Sequence, residues 1–430
     1  TAFLDWRETS FAQRGRIMEQ AAAILRAEVD DYARLVTLEM GKLFAEAKAE
    51  TILSAEIFEY YARNAEKLLA PEKLPVATPD EGEAMLVHQP QGIVFAVEPW
   101  NFPYYQIARI IAPQLSAGNT VVLKHASNVP QCAAIFEKLM LQAGLPSGAF
   151  RNLYLARHHT EIVLNDPRVC GVALTGPEGA GAVVASMAGK ALKKATMELG
   201  GADAFIVLED ADIEKAAKWA AFGRHWNAGQ VCVSSKRLIV VDAAHDRFLS
   251  LYKSEVAKLK TGDPMGPSTT LAPLSSQKAA DDLREQVENA KKHGALVEEI
   301  GGPVPEDGAF FRPLLMTNLH ETNAARHWEF FGPVTQLYRA KDEADAIRIA
   351  NDSPFGLGGS VFTADIQRGV EVAKRIHTCM VYVNHPTMVK ADLPFGGVAR
   401  SGYGRELIGL GIKEFVNHKL IDVVDINAPF

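Results

Sequence analysis

Cys232 lies in the stretch Asn227–Arg237 (NAGQVCVSSKR), which is small, polar and glycine-containing and reads as a turn that presents a side chain. Thirty-four residues upstream, Met197–Gly201 (MELGG) puts the Glu198 carboxylate at the edge of a short apolar run with two glycines behind it. A thiol nucleophile and a carboxylate able to act as general base form a pair for covalent catalysis, although spacing in sequence does not itself bring two side chains together. The other cysteines, Cys132, Cys170 and Cys379, have apolar neighbours and are expected in the core.

Three further segments carry groups that could act on a ligand. Pro99–Pro103 (PWNFP) follows an apolar run, and Asn101 there is either a turn-forming asparagine or an amide donor to a developing oxyanion. Lys124 ends the run Val121–Lys124, where its ammonium could meet a sugar hydroxyl or phosphate or be merely solvated. Thr175–Gly181 (TGPEGAG) opens a helical pattern; its glycines could admit a phosphate to backbone N–H groups or form only a tight turn.

These residues need a scaffold, and the chain alternates accordingly. The first seventy residues read as helices, with Ile17, Ala21, Ile24 and Leu25 at helical spacing and Leu35, Leu38 and Met40 in a second run. Strands are expected at Ala84–His88, Ile93–Val97, Thr120–Leu123, Val169–Leu174 and Leu238–Val241. Helices are expected from Pro103 through Ile111, Val129 to Ala143, the Gly-rich turn to Leu192, Asp342–Ala350 and Asp365–Arg375. Pro264–Pro273 and Gly301–Pro305 read as loops. Strands alternating with helices imply a mostly parallel α/β sheet covered on both faces, and Lys419–Val424 reads as a terminal strand able to join a sheet edge, including a partner's.

With 430 residues the chain is long enough for two or three domains. Four scattered cysteines without a CxxC pair argue against a disulfide framework or a zinc site, and no metal is expected. A net charge of −7 without a long basic block disfavours nucleic acid or an anionic membrane as partner. No apolar run has transmembrane length and no secretory pattern opens the chain, so a cytoplasmic protein is expected; the start at Thr1 without methionine points to trimming.

Taken in order, PWNFP, MELGG, GQVC, Glu329–Pro333 (EFFGP) and Pro394–Gly397 (PFGG) resemble aldehyde dehydrogenases over essentially the whole chain, most closely bacterial succinate-semialdehyde dehydrogenases. The resemblance implies a Rossmann-like NAD(P)-binding domain at residues 1–72 and 91–200 and an α/β catalytic domain at 201–415. It further implies oligomerisation strands at 73–90 and 416–430, in a homodimer or homotetramer. It implies that Cys232 attacks the aldehyde, that Asn101 and the Cys232 N–H hold the oxyanion, and that Glu198 activates water against the thioester. Cofactor contacts fall on Trp100, Lys124, Ser127, Thr175, Gly176, Leu199, Gly200, Glu329 and Phe331.

Three after Lys124, where NAD-preferring members carry a glutamate, stands Ser127, so NADP is expected to be preferred, with NAD as the alternative. Pro177 replaces the usual serine of Thr-Gly-Ser and offers no N–H. By the same resemblance Arg109 is placed to hold a distal carboxylate, with Tyr105 and Trp226 lining the pocket and His225 either bonding a hydroxyl or lying outside it. Trp226 stands where many succinate-semialdehyde enzymes carry a second arginine. Their serine near PFGG has no counterpart in Thr387–Leu393, and no second cysteine flanks Cys232. A small hydroxyaldehyde such as glycolaldehyde is therefore the alternative substrate. A CoA-acylating enzyme or a catalytically silent binding relative is disfavoured by the presence of Glu198 and of all three catalytic residues.

Overall fold

The computed structural model describes residues 2–75 and 82–426. Parts of the expected oligomerisation segments, 76–81 and 427–430, lie outside the described residues.

Three larger sheets organise the described residues, beside a two-stranded antiparallel pair of Phe355–Gly356 and Val398–Ala399. The first has six strands in the order Gly402–Tyr403, Lys194–Glu198, Val169–Thr175, Ile93–Glu98, Thr120–His125, Phe150–Asn152. All its pairings are parallel except that of Gly402–Tyr403. The chain winds outward from Ile93–Glu98 in one direction, then returns to its other side with Val169–Thr175. Their shared edge is thus a topological switch point, where ligands of open α/β sheets sit beyond the strand carboxyl ends. Glu98, Thr175 and Glu198 are the last residues of three adjacent strands there. Val94, Phe95, Ala96, Val172 and Ala173 are almost fully buried, as expected where helices cover both faces.

The second sheet has seven strands, ordered Leu296–Glu299, Leu314–Thr317, Val334–Ala340, Arg237–Val241, Ala204–Val207, Gly359–Phe362, Tyr382–Val383, and only its first strand is antiparallel. The third is an antiparallel sheet of Glu72–Leu74, Glu83–Pro90 and Val416–Val423.

The amino-terminal helices are Ala2–Trp6, Phe11–Ala27, Val29–Met40 and Phe44–Leu68. Ser10 and Gln13 close a capping box on the second. The Pro103–Ala117 helix is buried on every face, packed between the first sheet and the Phe44–Leu68 helix. It runs past Ile111, the expected end: Pro113 is accommodated within it, and it stops at Gly118, which adopts φ +98°. Lys124 lies inside the Thr120–His125 strand rather than beyond it. The Lys194–Glu198 strand and the helices Asp242–Val256 and Gln277–Lys292 complete the alternation. All four cysteines are free; Cys132 is buried as expected, but Cys170 and Cys379 are only partly covered, packing against the core rather than within it.

Candidate active site

The Ile213–His225 helix is followed by a turn at Trp226–Gly229 in which Asn227, Ala228 and Gly229 take φ of 51°, 54° and 76°. Left-handed backbone costs a non-glycine residue about 1–2 kcal/mol, so neighbours must hold this turn. They do. Glu46 accepts from the Asn227 N–H at 3.1 Å, Asn227 Nδ2 donates to the Asn101 carbonyl at 3.0 Å, and Gln230 Nε2 returns to the Asn227 carbonyl at 3.2 Å. Arg224, fully buried, donates to the carbonyls of Phe330 (2.9 Å) and Gly332. The turn delivers the chain to Cys232, whose backbone N–H makes no hydrogen bond with the described residues. Lys236 Nζ donates to the Cys232 carbonyl at 2.7 Å and pairs with Glu329 at 3.0 Å.

Asn101 is 5% exposed, and its Nδ2 donates to the Gln230 carbonyl at 3.0 Å, two residues before Cys232. The PWNFP loop that carries it is braced by buried His125, whose Nδ1 and Nε2 lie 3.2 and 3.1 Å from the carbonyls of Glu98 and Pro103. Burial pushes that imidazole down to about 4, so it is neutral and bonds one carbonyl through its single N–H.

Glu198 is 1% exposed, and neither carboxyl oxygen has a partner among the described residues. Burial, then the Glu406 carboxyl, push it well above the ordinary carboxylate range, and Arg109 pulls the other way. Cys232 is pushed up to about 12, first by burial, with Lys236 and Arg109 opposing and the Glu329 and Glu198 carboxylates adding to the rise. The sequence-distant thiol and carboxyl therefore lie within electrostatic reach of one another. The two glycines after Glu198 explain how. A Cβ on Gly201 would stand 2.5 Å from the Cys232 carbonyl oxygen, and one on Gly200 would stand 2.4 Å from Glu329 Oε2. Only glycine lets both segments press onto the end of this strand.

Arg109 lies in the same cluster, 1% exposed, with Tyr105 and Phe395 rings 4.9 and 4.8 Å from its guanidinium carbon. It pairs with buried Glu406 and donates to Thr175 Oγ1 at 2.7 Å and to the Tyr105 hydroxyl at 3.2 Å. Burial works against its charge, and Glu406, Tyr105, Glu198 and Glu98 outweigh that and hold it protonated. Its charge is thus already matched by a protein carboxylate. Phe102 sits between Tyr105, met edge to face, and Trp226, met at a tilt, centroids 6.2 and 5.0 Å away, which makes this an aromatic enclosure. His225 does not join it: Nδ1 lies 2.9 Å from the Ala221 carbonyl and the ring packs near Tyr252.

On the other side of Cys232 the expected cofactor residues gather. Trp100 and Phe331 meet edge to face at 5.9 Å. Glu329 accepts from the Gly201 N–H at 3.0 Å, and Gly176 N–H donates to the Glu198 carbonyl at 2.9 Å. The Leu199 N–H donates to the Ser401 carbonyl, and the Leu199 side chain fills the space a Cβ on Gly181 would need. A cavity of about 480 Å³ opens between Glu178, Glu329, Phe355 and Arg400. Farther out Lys124 is pulled below its ordinary value by burial and by the nearby charge of Arg157, while Ser127 is exposed. Neither cation has an ion-pair partner among the described residues, an arrangement that suits an added phosphate. These groups fit a dinucleotide: stacking surface and ribose-binding carboxylate at one end, two uncompensated cations at the other.

No motif in the sequence points to Lys236, Glu406, Arg157 or the inward-facing set Lys42, Glu46 and Glu50. In the last, Glu46 and Glu50 carry a visible signal, since charged residues four apart on a helix share one face. The others are single charges that nothing in the sequence distinguishes from solvated ones.

A sequence model of the aldehyde dehydrogenase family matches residues 1–421, and the chain belongs to that family. It is an oxidoreductase of the aldehyde-oxidising class. It is 47% identical over 421 residues to a Deinococcus radiodurans succinate-semialdehyde dehydrogenase [NADP(+)], covering 98% of this chain and 87% of that one. A Mycobacterium avium enzyme of the same description is 43% identical, covering 97% and 89%. The crystal structure of succinic semialdehyde dehydrogenase from Streptococcus pyogenes, in complex with NADP+, superposes with a TM-score of 0.95 at 44% identity, covering 98% of this chain and 92% of that one. Among the described residues no helix is long and apolar enough to cross a membrane.

Proposed function

We propose that this enzyme oxidises succinate semialdehyde to succinate with NADP as preferred acceptor. The observation that carries the reading is the convergence of Cys232, Asn101 and Glu198 at the switch point of the first sheet, with Lys124 and Arg157 farther out and without an ion-pair partner among the described residues. The names of the relatives agree with it.

The Cys232 sulfur adds to the aldehyde carbon and its proton leaves toward solvent; Lys236 and Arg109 are the cations that favour that loss. The oxyanion formed is held by Asn101 Nδ2 and the Cys232 N–H, which must stabilise it without trapping it, since it collapses back to a carbonyl as hydride departs. NADP, when bound, would supply the hydride acceptor; Glu329, Trp100, Phe331, Thr175, Gly176, Leu199 and Gly200 would hold its nicotinamide end, and Lys124, Ser127 and Arg157 would meet the adenosine 2′-phosphate. Glu198 then takes a proton from water as its oxygen attacks the thioester, and the C–S bond breaks to release the acid and the Cys232 thiolate. A carboxyl raised above its ordinary range by burial is a stronger proton acceptor for that step.

Arg109 is proposed to attract the distal carboxylate, with Tyr105 and Trp226 shaping the pocket. The Glu406 contact favours a second reading, because a matched arginine within an aromatic enclosure also suits a small neutral hydroxyaldehyde such as glycolaldehyde. Initial rates for both aldehydes against NADP and NAD decide: the highest kcat/KM is expected for succinate semialdehyde with NADP, and equal or better values for glycolaldehyde transfer the assignment. A cytoplasmic homodimer or homotetramer is proposed as the working form. The exposed Leu420, Ile421 and Val423 on the edge strand Val416–Val423 are its support.

A further inference from the structure

The Phe44–Leu68 helix and the residues before it turn charge inward. Lys42, Glu46 and Glu50 follow each other every four residues, Lys42 is fully buried, and Glu50 is 3% exposed. Lys42 and Glu50 form an ion pair, and Lys42 Nζ also donates to the Asn101 carbonyl at 2.8 Å and stands 3.7 Å from the centre of the Phe102 ring. The other Glu50 oxygen accepts the N–H groups of Tyr104 (2.8 Å) and Tyr105 (3.3 Å), orphan donors of the first turn of the Pro103–Ala117 helix. Glu46 reaches the other loop, accepting from the Asn227 N–H, and the Asn227 amide closes on the same Asn101 carbonyl that Lys42 holds. The first turns of this helix, with Lys42 just before it, therefore grip both the loop that carries Asn101 and the strained turn that leads into Cys232.

A buried ion pair contributes little net stability after desolvation, so its value here lies in geometry. We propose that Lys42, Glu46 and Glu50 are positioning residues of the oxyanion site, holding these two segments so that the Asn101 amide and the Cys232 N–H converge on one oxygen. This rests on the reading of Asn101 as oxyanion donor. It predicts a particular energetic signature: most of what these residues do passes through the Asn101 amide, so once that amide is gone only the Cys232 N–H remains to be positioned and their effect on kcat shrinks.

The test is a double-mutant cycle on the full-length enzyme, with succinate semialdehyde and NADP. Lys42→Met and Glu50→Gln are each expected to lower kcat by about 10–100-fold, the scale of a roughly 1 Å misplacement, with the KM for NADP within about twofold. In an Asn101→Ala background each is expected to change kcat by less than about twofold. Partly exposed Glu46 supplies the variants least able to disturb folding: Glu46→Ala should lose about 3–10-fold in kcat, and Glu46→Gln, which keeps an acceptor for the Asn227 N–H, should recover to within about twofold of wild type. Full multiplication of these losses with Asn101→Ala overturns the positioning role. Undiminished turnover in Asn101→Ala alone is a different outcome, which overturns the oxyanion reading and the positioning role with it.

Discussion

Replacing Arg109 by Met should unmask the charge it neutralises. Arg109 and Glu406 are 1% and 2% exposed, and burial raises the Glu406 carboxyl while Arg109 opposes that rise. Without the guanidinium, Glu406 must be protonated or remain as a lone buried charge. Holding a carboxyl of ordinary value 4.5 neutral costs about 1.4 kcal/mol per pH unit above that value, hence up to about 4–5 kcal/mol at pH 8 and almost nothing at pH 4.5. That upper figure agrees with the roughly 3–5 kcal/mol typical of breaking a buried pair. Arg109→Met/Glu406→Leu removes both charges and should recover most of the loss at pH 8. A deficit of about 1–3 kcal/mol should remain for the orphaned Thr175 and Tyr105 hydroxyls. Urea unfolding of the wild type and both variants at pH 5 and pH 8 measures this. If the single variant's deficit is independent of pH, or the double variant is no more stable than the single at pH 8, the account of this cluster is wrong. The double variant also separates roles: a KM raised for succinate semialdehyde but not for a neutral aldehyde of similar length assigns Arg109 to the substrate carboxylate, and equal KM changes remove it from that role.

Three other outcomes follow from the same geometry. Glu46, pushed up to about 7 by burial, contributes stability that is present below about 4.5 and is lost as pH rises through 7. The stability difference between Glu46→Gln and wild type should therefore move by about 3 kcal/mol in favour of the variant from pH 4.5 to pH 8; a pH-independent difference would show that the carboxyl ionises normally. Arg157→Ala should raise the KM for NADP by about 10-fold, the worth of one charge-assisted phosphate contact, and leave that for NAD within about twofold. Equal changes for the two cofactors would place Arg157 away from the 2′-phosphate. Gly201→Ala should lower kcat at least about 100-fold, because the added methyl meets the Cys232 carbonyl at 2.5 Å and displaces the nucleophile; near-normal turnover would mean that this contact relaxes freely.

The sheet-forming part of the chain was legible because buried parallel strands are short, nearly continuous apolar runs. Ile93–Glu98 and Val169–Thr175 extend only one residue beyond their expected ends. Helix ends were less so. The run past Pro113 depends on packing that surrounds the Pro103–Ala117 helix completely, which offsets the lost backbone bond in a way no local pattern announces. Cys232 was recognisable because a polar, glycine-bearing context is wrong for a core cysteine. Its neighbourhood was not, because Lys236 and Glu406 come from segments whose charges look solvated until the fold places them. Arg109 illustrates the same limit: its neighbours Ile107, Ala108, Ile110 and Ile111 are apolar, and only the folded chain supplies Glu406 as the partner of its charge.

The proposed mechanism turns on one division of labour, in which Cys232 carries the acyl group and Glu198 releases it. Glu198→Gln mixed rapidly with NADP and succinate semialdehyde should give one equivalent of NADPH per active site in a burst, followed by turnover slowed about 100-fold or more. Mass spectrometry of the quenched protein should then find a succinyl thioester on the peptide containing Cys232. A burst with the acyl group on another residue, or steady turnover at the wild-type rate with no adduct, would contradict it.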